Sequence, residues 1–267
     1  MNATLPDRIR SGEPTVGTFL NLGSPLAAEA CALAGFDWLL ADLEHGAGGE
    51  AALVGQITAA AAHDVEVLVR VESDERIRCG RVLDLGAAGV MFPRLDSADQ
   101  AADAIGHLRY PPAGDRGVAT YNRACGFGVH AEALDTANER VLGIVQIETV
   151  TALDDAEAIA DTPGVDVVFV GPADLSYALG VPRQLDAPEF QGALDRVLAA
   201  ARNAGTAAGI LAPNREVALR YHERGFTFLA VGSDSAFLVT AGREAAGRLP
   251  TAEGHWGAAT VTQAAHD

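Results

Sequence analysis

Eight short apolar runs alternate with longer stretches of helical spacing along this chain, and that alternation most constrains its fold. The runs cover residues 16–21, 38–42, 65–71, 89–92, 141–147, 167–170, 207–211 and 228–231. Several are continuous β-branched or large apolar runs, such as Val167-Val168-Phe169-Val170. Such runs suit strands buried on both faces of a parallel sheet. Between them, residues 25–34 follow Ser24 as an N-cap, 97–108 start at Ser97, and 149–160 and 188–204 repeat the pattern. Gly35, Gly205 and Gly225 each end a helix just before a strand, where a left-handed residue is wanted.

Eight βα units in roughly 250 residues predict an α/β fold of (β/α)8 TIM-barrel type. Residues 1–267 then form a single barrel domain. A doubly wound open sheet is the second choice, weakened because no Gly-x-Gly-x-x-Gly follows the first strand. The tail from about Pro250, with its lone Trp256, is expected to pack on a neighbouring subunit or to lie loose. The connection 109–138, rich in Pro and Gly, is long enough to be expected to have a function.

In such a barrel the active site lies at the C-terminal ends of the strands. Strand two ends in Asp42-Leu43-Glu44-His45, strand three at Arg70, and strand five in Gln146-Ile147-Glu148. Strand six ends in Gly171-Pro172-Ala173-Asp174, and strand eight in Gly232-Ser233-Asp234. Each residue also has a bland reading. His45 could cap a helix, Arg70 could pair with Asp42 or Glu44, and Asp174 could merely start a helix. Two features favour chemistry. Gln146 and Glu148 share one face of their strand, which must be the barrel interior or its mouth. A carboxylate there is costly unless it is paired or binds a metal. Glu148 and Asp174, from adjacent strand ends, make a pair of oxygen ligands for Mg²⁺ or Mn²⁺, with the other positions left to water and substrate. The Gly171–Asp174 turn would present free backbone N–H groups to a substrate carboxylate.

Composition then excludes several classes. The 19 basic residues are all Arg, there is no Lys, and 36 acids bring the net charge to −17. Without Lys, no side-chain Schiff base and no Walker-type phosphate loop can form. Nucleic acid is not an expected partner for so acidic a chain. No apolar run is long enough for a membrane helix. The N-terminal residues show no signal-peptide pattern. Cys31, Cys79 and Cys125 have no metal or disulfide spacing, so they read as reduced thiols of a cytoplasmic protein.

Five stretches together resemble the HpcH/HpaI aldolase family. They are Leu39-Leu40-Ala41-Asp42-Leu43-Glu44-His45, Val69-Arg70, the Arg109-Tyr110-Pro111-Pro112 to Arg116-Gly117 segment, Val145-Gln146-Ile147-Glu148, and Val170-Gly171-Pro172-Ala173-Asp174-Leu175-Ser176. The resemblance runs from about Gly17 to Leu238. It implies a class II pyruvate aldolase that reversibly cleaves a 4-hydroxy-2-keto acid into pyruvate, or an analogue such as hydroxypyruvate, and an aldehyde. It implies His45 as the base acting through a water, with Asp84 raising its basicity across a subunit boundary. Asp84 read by itself is only a helix residue. The resemblance further implies Arg70 at the enolate oxygen, and Glu148 and Asp174 as ligands of Mg²⁺, Mn²⁺ or Co²⁺. Gln146 would lie beside the substrate, and the Ala173 and Asp174 backbone would hold its carboxylate. The implied assembly is a homo-hexamer, or a trimer.

The chemistry agrees with this. An enolate leaving group needs either an iminium on Lys or a metal, and this chain has no Lys. Arg94 and Arg123 are further candidates for the distal end of a substrate. Leu43, Phe92, residues 122–127 and Ser233 are expected to shape the aldehyde side. A citrate-lyase-like enzyme acting on a CoA thioester is an alternative, disfavoured by the negative charge. A non-catalytic small-acid binder is another, disfavoured because His45, Arg70, Glu148 and Asp174 are all present.

Overall fold

A computed structural model of the chain describes residues 3–247. Eight strands form the barrel: β1 (Thr15–Leu20), β2 (Trp38–Asp42), β3 (Glu66–Arg70), β4 (Gly89–Phe92), β5 (Leu142–Ile147), β6 (Val167–Val170), β7 (Ala207–Ala212) and β8 (Phe228–Ser233). They close in sequence order, and β1 pairs with β8 to complete the ring. Every pairing is parallel. The expected (β/α)8 barrel is therefore the fold.

Among the described residues twelve α-helices accompany the strands: α1 (Leu5–Arg10), α2 (Pro25–Leu33), α3 (Glu50–Ala61), α4 (Arg76–Asp84), α5 (Ala98–Gly106), α6 (Leu134–Arg140), α7 (Val150–Asp154), α8 (Ala156–Ala160), α9 (Pro172–Ala178), α10 (Pro188–Ala204), α11 (Arg215–Arg224) and α12 (Asp234–Gly247). The expected caps form: the Ser24 and Ser97 hydroxyls accept from the backbone N–H of Ala27 and Gln100. Gly205 and Gly225 end α10 and α11 in the left-handed conformation. The single helix expected over 149–160 is instead two, because Asp155 leaves helical geometry at φ −99° and ψ 11°.

Strand alternation divides the apolar residues into two layers. Leu39, Val69, Val145 and Val168 face outward and pack under the helices. Trp38, Leu40, Leu68, Ile144, Phe169 and Phe228 fill the barrel interior. The Trp38 and Phe228 rings stack with centroids 4.1 Å apart and planes 2° from parallel. Gly17 makes this possible, since a Cβ there would lie 2.1 Å from the Trp38 ring. Leu5 and Ile9 of α1, a helix that sequence patterning did not anticipate, join the interior cluster.

The same alternation explains where the polar residues go. On β2, Trp38 and Leu40 point inward, and so does Asp42 two residues later. On β3, Arg70 follows Leu68 in the same way, and on β5 Gln146 and Glu148 follow Ile144. Asp42 and Arg70 are also register partners across the β2–β3 pair. The upper layer of the barrel is thus polar because the strands continue their inward phase past the apolar layers.

The connection 109–138 joins the end of α5 to the start of β5, so it runs at the N-terminal end of the barrel. It holds two short 3-10 turns and most of α6. The tail from about residue 250, with Trp256, lies outside the described residues. Among the described residues no helix is long and apolar enough to cross a membrane.

Candidate active site

The C-terminal mouth of the barrel holds a cavity of about 620 Å³. Its polar lining includes Asp42, His45, Arg70, Gln146, Asp174 and Arg183, and its apolar wall includes Leu185, Leu211 and Pro213. All five of the expected strand ends therefore open onto one space.

Arg70 is buried, and its guanidinium is held on two sides. Nε and Nη2 donate to Oδ1 and Oδ2 of Asp42 at 2.9 and 2.6 Å. Nη1 lies 3.2 Å from Oε2 of Glu44. The guanidinium carbon sits 5.2 Å from the centre of the Phe19 ring. Burial by itself would lower the pKa of Arg70, but the Asp42 hydrogen bonds and the charges of Asp42, Glu44 and Glu148 outweigh it and hold the pKa above its ordinary value.

Asp42 also organises the loop that carries His45. Its Oδ1 accepts from the backbone N–H groups of Glu44 and His45 at 3.1 and 3.2 Å. The turn needs Gly46, whose Cβ would lie 2.1 Å from the Asp42 carbonyl oxygen. The His45 side chain is 66% exposed, and its Nε2 lies 3.7 Å from Oε2 of Glu44. The ring is thus anchored through its backbone and free to meet a substrate in the mouth.

Glu148 is buried at 3% exposure. Its Oε1 accepts from the Arg94 backbone N–H at 2.9 Å, and its Oε2 from Nε2 of Gln146 at 2.9 Å. Gly171 gives the carboxylate its space, since a Cβ there would lie 2.6 Å from Oε2. Burial first, and then the negative charge of Asp174, push the Glu148 carboxyl up to about 7. Oε1 of Gln146 is buried without a hydrogen-bond partner. Asp174 is exposed at the rim, in the first turn of α9. Gly171 caps that helix with no side-chain hydrogen bond, and the first intrahelical bond comes from Leu175 N–H. The N–H groups of Ala173 and Asp174 precede it in the helix's first turn, and both residues line the cavity.

These features suit a divalent cation. Two carboxylates repel each other, the buried one holds its proton into the neutral range, and an orphaned amide oxygen stands beside them. Among the described residues no group of three or more His, Cys, Asp and Glu side chains is arranged to hold a metal. A hard cation here would have two protein carboxylates and would complete its shell with water and substrate oxygens.

Several expected positions fall elsewhere. Asp84 is the last residue of α4, which runs back to the N-terminal end of the barrel. There its Oδ1 accepts from Nη2 of Arg116 at 2.8 Å. A single chain therefore does not bring Asp84 to His45. Arg123 donates to the Leu85 carbonyl and the Thr58 hydroxyl. The 122–127 turn belongs to the connection at that same end and does not line the mouth, because a helix-to-strand link lies opposite the strand C-termini. Phe92 faces outward into the helix layer, and Leu43 packs against that layer. Ser233 does line the cavity. Arg94 contributes its backbone N–H to Glu148, and its side chain is exposed. Asp234 is buried and accepts from the backbone N–H groups of Asn21 and Leu22, which ties β8 to β1. Asp42 emerges as the organising acid of the site. In the sequence its signal was only its inward phase two residues after Leu40.

Comparison with known proteins gives one consistent picture. Residues 15–241 match the model of the family described as HpcH/HpaI aldolase/citrate lyase. A hydroxypyruvate/pyruvate aldolase from Paraburkholderia phytofirmans is 44% identical, over 90% of this chain and 95% of that protein. A 4-hydroxy-2-oxo-heptane-1,7-dioate aldolase from Salmonella dublin is 36% identical, over 98% of this chain and all of that protein. The crystal structure of an HpcH/HpaI aldolase/citrate lyase family protein from Burkholderia cenocepacia superposes with a TM-score of 0.88. It is 42% identical and covers 92% of this chain and 98% of its own.

Proposed function

The chain belongs to the HpcH/HpaI aldolase/citrate lyase family, and from that premise we propose that it is a divalent-metal-dependent aldolase acting on 4-hydroxy-2-keto acids. It is a carbon–carbon lyase, the class to which its named relatives belong. The products are pyruvate, or a close analogue such as hydroxypyruvate, and an aldehyde. The observation that carries this reading is the convergence of Arg70, Gln146 and Asp174 with His45 on one cavity at the strand C-termini, with the buried Glu148 carboxylate hydrogen-bonded to Gln146 of that lining.

The chain's own residues divide the work. His45 takes the proton of the C4 hydroxyl. The C3–C4 bond then breaks, the C4 oxygen becomes the aldehyde carbonyl, and the electron pair moves to C3 and the C2 oxygen as an enolate. Arg70, fixed by Asp42, faces the charge that develops on that oxygen. The Ala173 and Asp174 N–H groups hold the substrate carboxylate, and Gln146 lies beside it. C3 then takes a proton to release pyruvate. Glu148 and Asp174 would hold Mg²⁺, Mn²⁺ or Co²⁺, which when bound supplies Lewis-acid stabilisation of the enolate. The absence of Lys supports this route, because a side-chain iminium cannot form.

Asp84 enters only between subunits. We infer a homo-oligomer, a hexamer or a trimer, in which Asp84 of one subunit supports His45 of the next. Mixing His45→Ala with Asp84→Ala protein should then restore activity that neither variant has alone. A cytoplasmic location is supported by Cys31, Cys79 and Cys125, all buried free thiols. The reading as a whole is tested by incubating the enzyme with pyruvate in D₂O. Exchange of the C3 protons supports it, and no exchange with any divalent metal contradicts it.

A further inference from the structure

We propose that Arg183 determines the acceptor specificity of this enzyme by binding a terminal carboxylate on the aldehyde half of the substrate. The proposal rests on the aldolase reading above and adds to it a residue and a charge class.

Two arginines line the mouth cavity, Arg70 and Arg183. Arg70 is occupied by Asp42 and Glu44. Among the described residues the Arg183 guanidinium has no ion pair or hydrogen bond; only its backbone is engaged. It is therefore the one lining arginine with its full charge and all its donors available.

Its placement is fixed by the chain. Arg183 sits at φ +63°, a left-handed conformation that glycine or asparagine adopts at lower cost. A long cationic side chain is thus held at a position where a small residue would be easier to place. Its backbone N–H donates to Oγ of Ser176 at 3.0 Å, and that hydroxyl donates to the Ala173 carbonyl at 2.7 Å. Ser176 is fully buried. One short hydrogen-bonded link therefore ties Arg183 to the turn that presents the Ala173 and Asp174 N–H groups. The two ends of the binding site are set relative to each other by α9 and its following loop.

Charge and shape define what reaches Arg183. The C1 carboxylate of the keto acid is accounted for by the α9 turn. A second carboxylate entering a chain of net charge −17 needs its own cation, and Arg183 is the lining cation left for it. The same cavity has an apolar wall of Leu185, Leu211, Pro213 and Ala236, suited to a short methylene chain. A planar guanidinium matches a carboxylate through two parallel N–H···O bonds.

The test compares two acceptor aldehydes of equal chain length, 4-oxobutanoate and butanal, in aldol addition with pyruvate. Arg183→Ala should lower the ratio of kcat/KM for 4-oxobutanoate to that for butanal by about ten- to a hundredfold. Arg183→Lys should recover part of that ratio. Because each variant is read as a ratio, partial misfolding cancels. An unchanged ratio in Arg183→Ala, in a wild-type enzyme that exchanges the C3 protons of pyruvate, overturns the Arg183 assignment and leaves the aldolase reading intact. Absence of that exchange in the wild type overturns the aldolase reading and this proposal with it.

Discussion

Asp42 grips Arg70 through two hydrogen bonds, of 2.9 and 2.6 Å, from the next strand of the barrel at the same register position. The same carboxylate holds the backbone of His45. One buried acid thus sets the position of the cation that faces the enolate and of the loop that carries the base. Removing the charge of Asp42 should therefore disable both.

Asp42→Asn should lower kcat/KM for keto-acid cleavage by about 10²-fold, and Arg70→Ala by about 10²–10³-fold. The double variant should be close to Arg70→Ala alone, because the two residues act as a unit. Steady-state kinetics on the three proteins checks this. Additive losses would mean that Asp42 and Arg70 contribute independently.

His45→Ala should cost about 10²–10⁴-fold in turnover. Its side chain is 66% exposed, so the melting temperature should move by no more than about 2 °C. Loss of activity together with loss of fold would point to a structural role instead.

Gly17→Ala should destabilise the barrel by about 1–3 kcal/mol. The new methyl would enter the Trp38 ring, which is already stacked on Phe228. A urea titration followed by Trp fluorescence checks this. An unchanged midpoint would mean that the interior is looser than its packing indicates.

Metal-free protein should lose stability as pH rises from about 4.5 to about 7. The Glu148 carboxyl keeps its proton in the folded state up to about 7 because of burial and the charge of Asp174. In the unfolded chain it releases that proton near its ordinary value of 4.5. The folded state therefore binds more protons across that window, and its stability falls with pH until both states are ionised. The fall should be roughly 5–10 °C in melting temperature. Glu148→Gln should flatten it, except for the slope due to Glu66, whose carboxyl is also pushed up by burial. A melting temperature independent of pH in this range, before and after the substitution, would contradict the placement of Glu148.

Much of this was legible in the sequence because strands and barrel rims obey local rules. Apolar runs placed all eight strands to within a residue or two, and period-two alternation put Gln146 and Glu148 on the inner face. Helix α1 was missed because its six residues carry too few apolar positions to show a period, although Leu5 and Ile9 reach the barrel interior. Residues 122–127 are expected on the aldehyde side, but the connection 109–138 runs from helix to strand, and that polarity places it at the N-terminal end of its own barrel. Asp42 was seen only as one possible partner of Arg70. Its two backbone acceptor contacts arise from a turn whose shape depends on Gly46, and no spacing rule reveals that. Arg183 had no sequence signal, since it sits in a loop and reaches the mouth only through the path of the chain after α9.

The most direct test of the central claim is pyruvate release from a 4-hydroxy-2-keto acid before and after removal of divalent metal. Chelated and desalted enzyme should lose nearly all turnover, and Mg²⁺, Mn²⁺ or Co²⁺ should restore it to the wild type but not to a Glu148→Ala, Asp174→Ala double variant. Full activity in the metal-free enzyme would contradict the account.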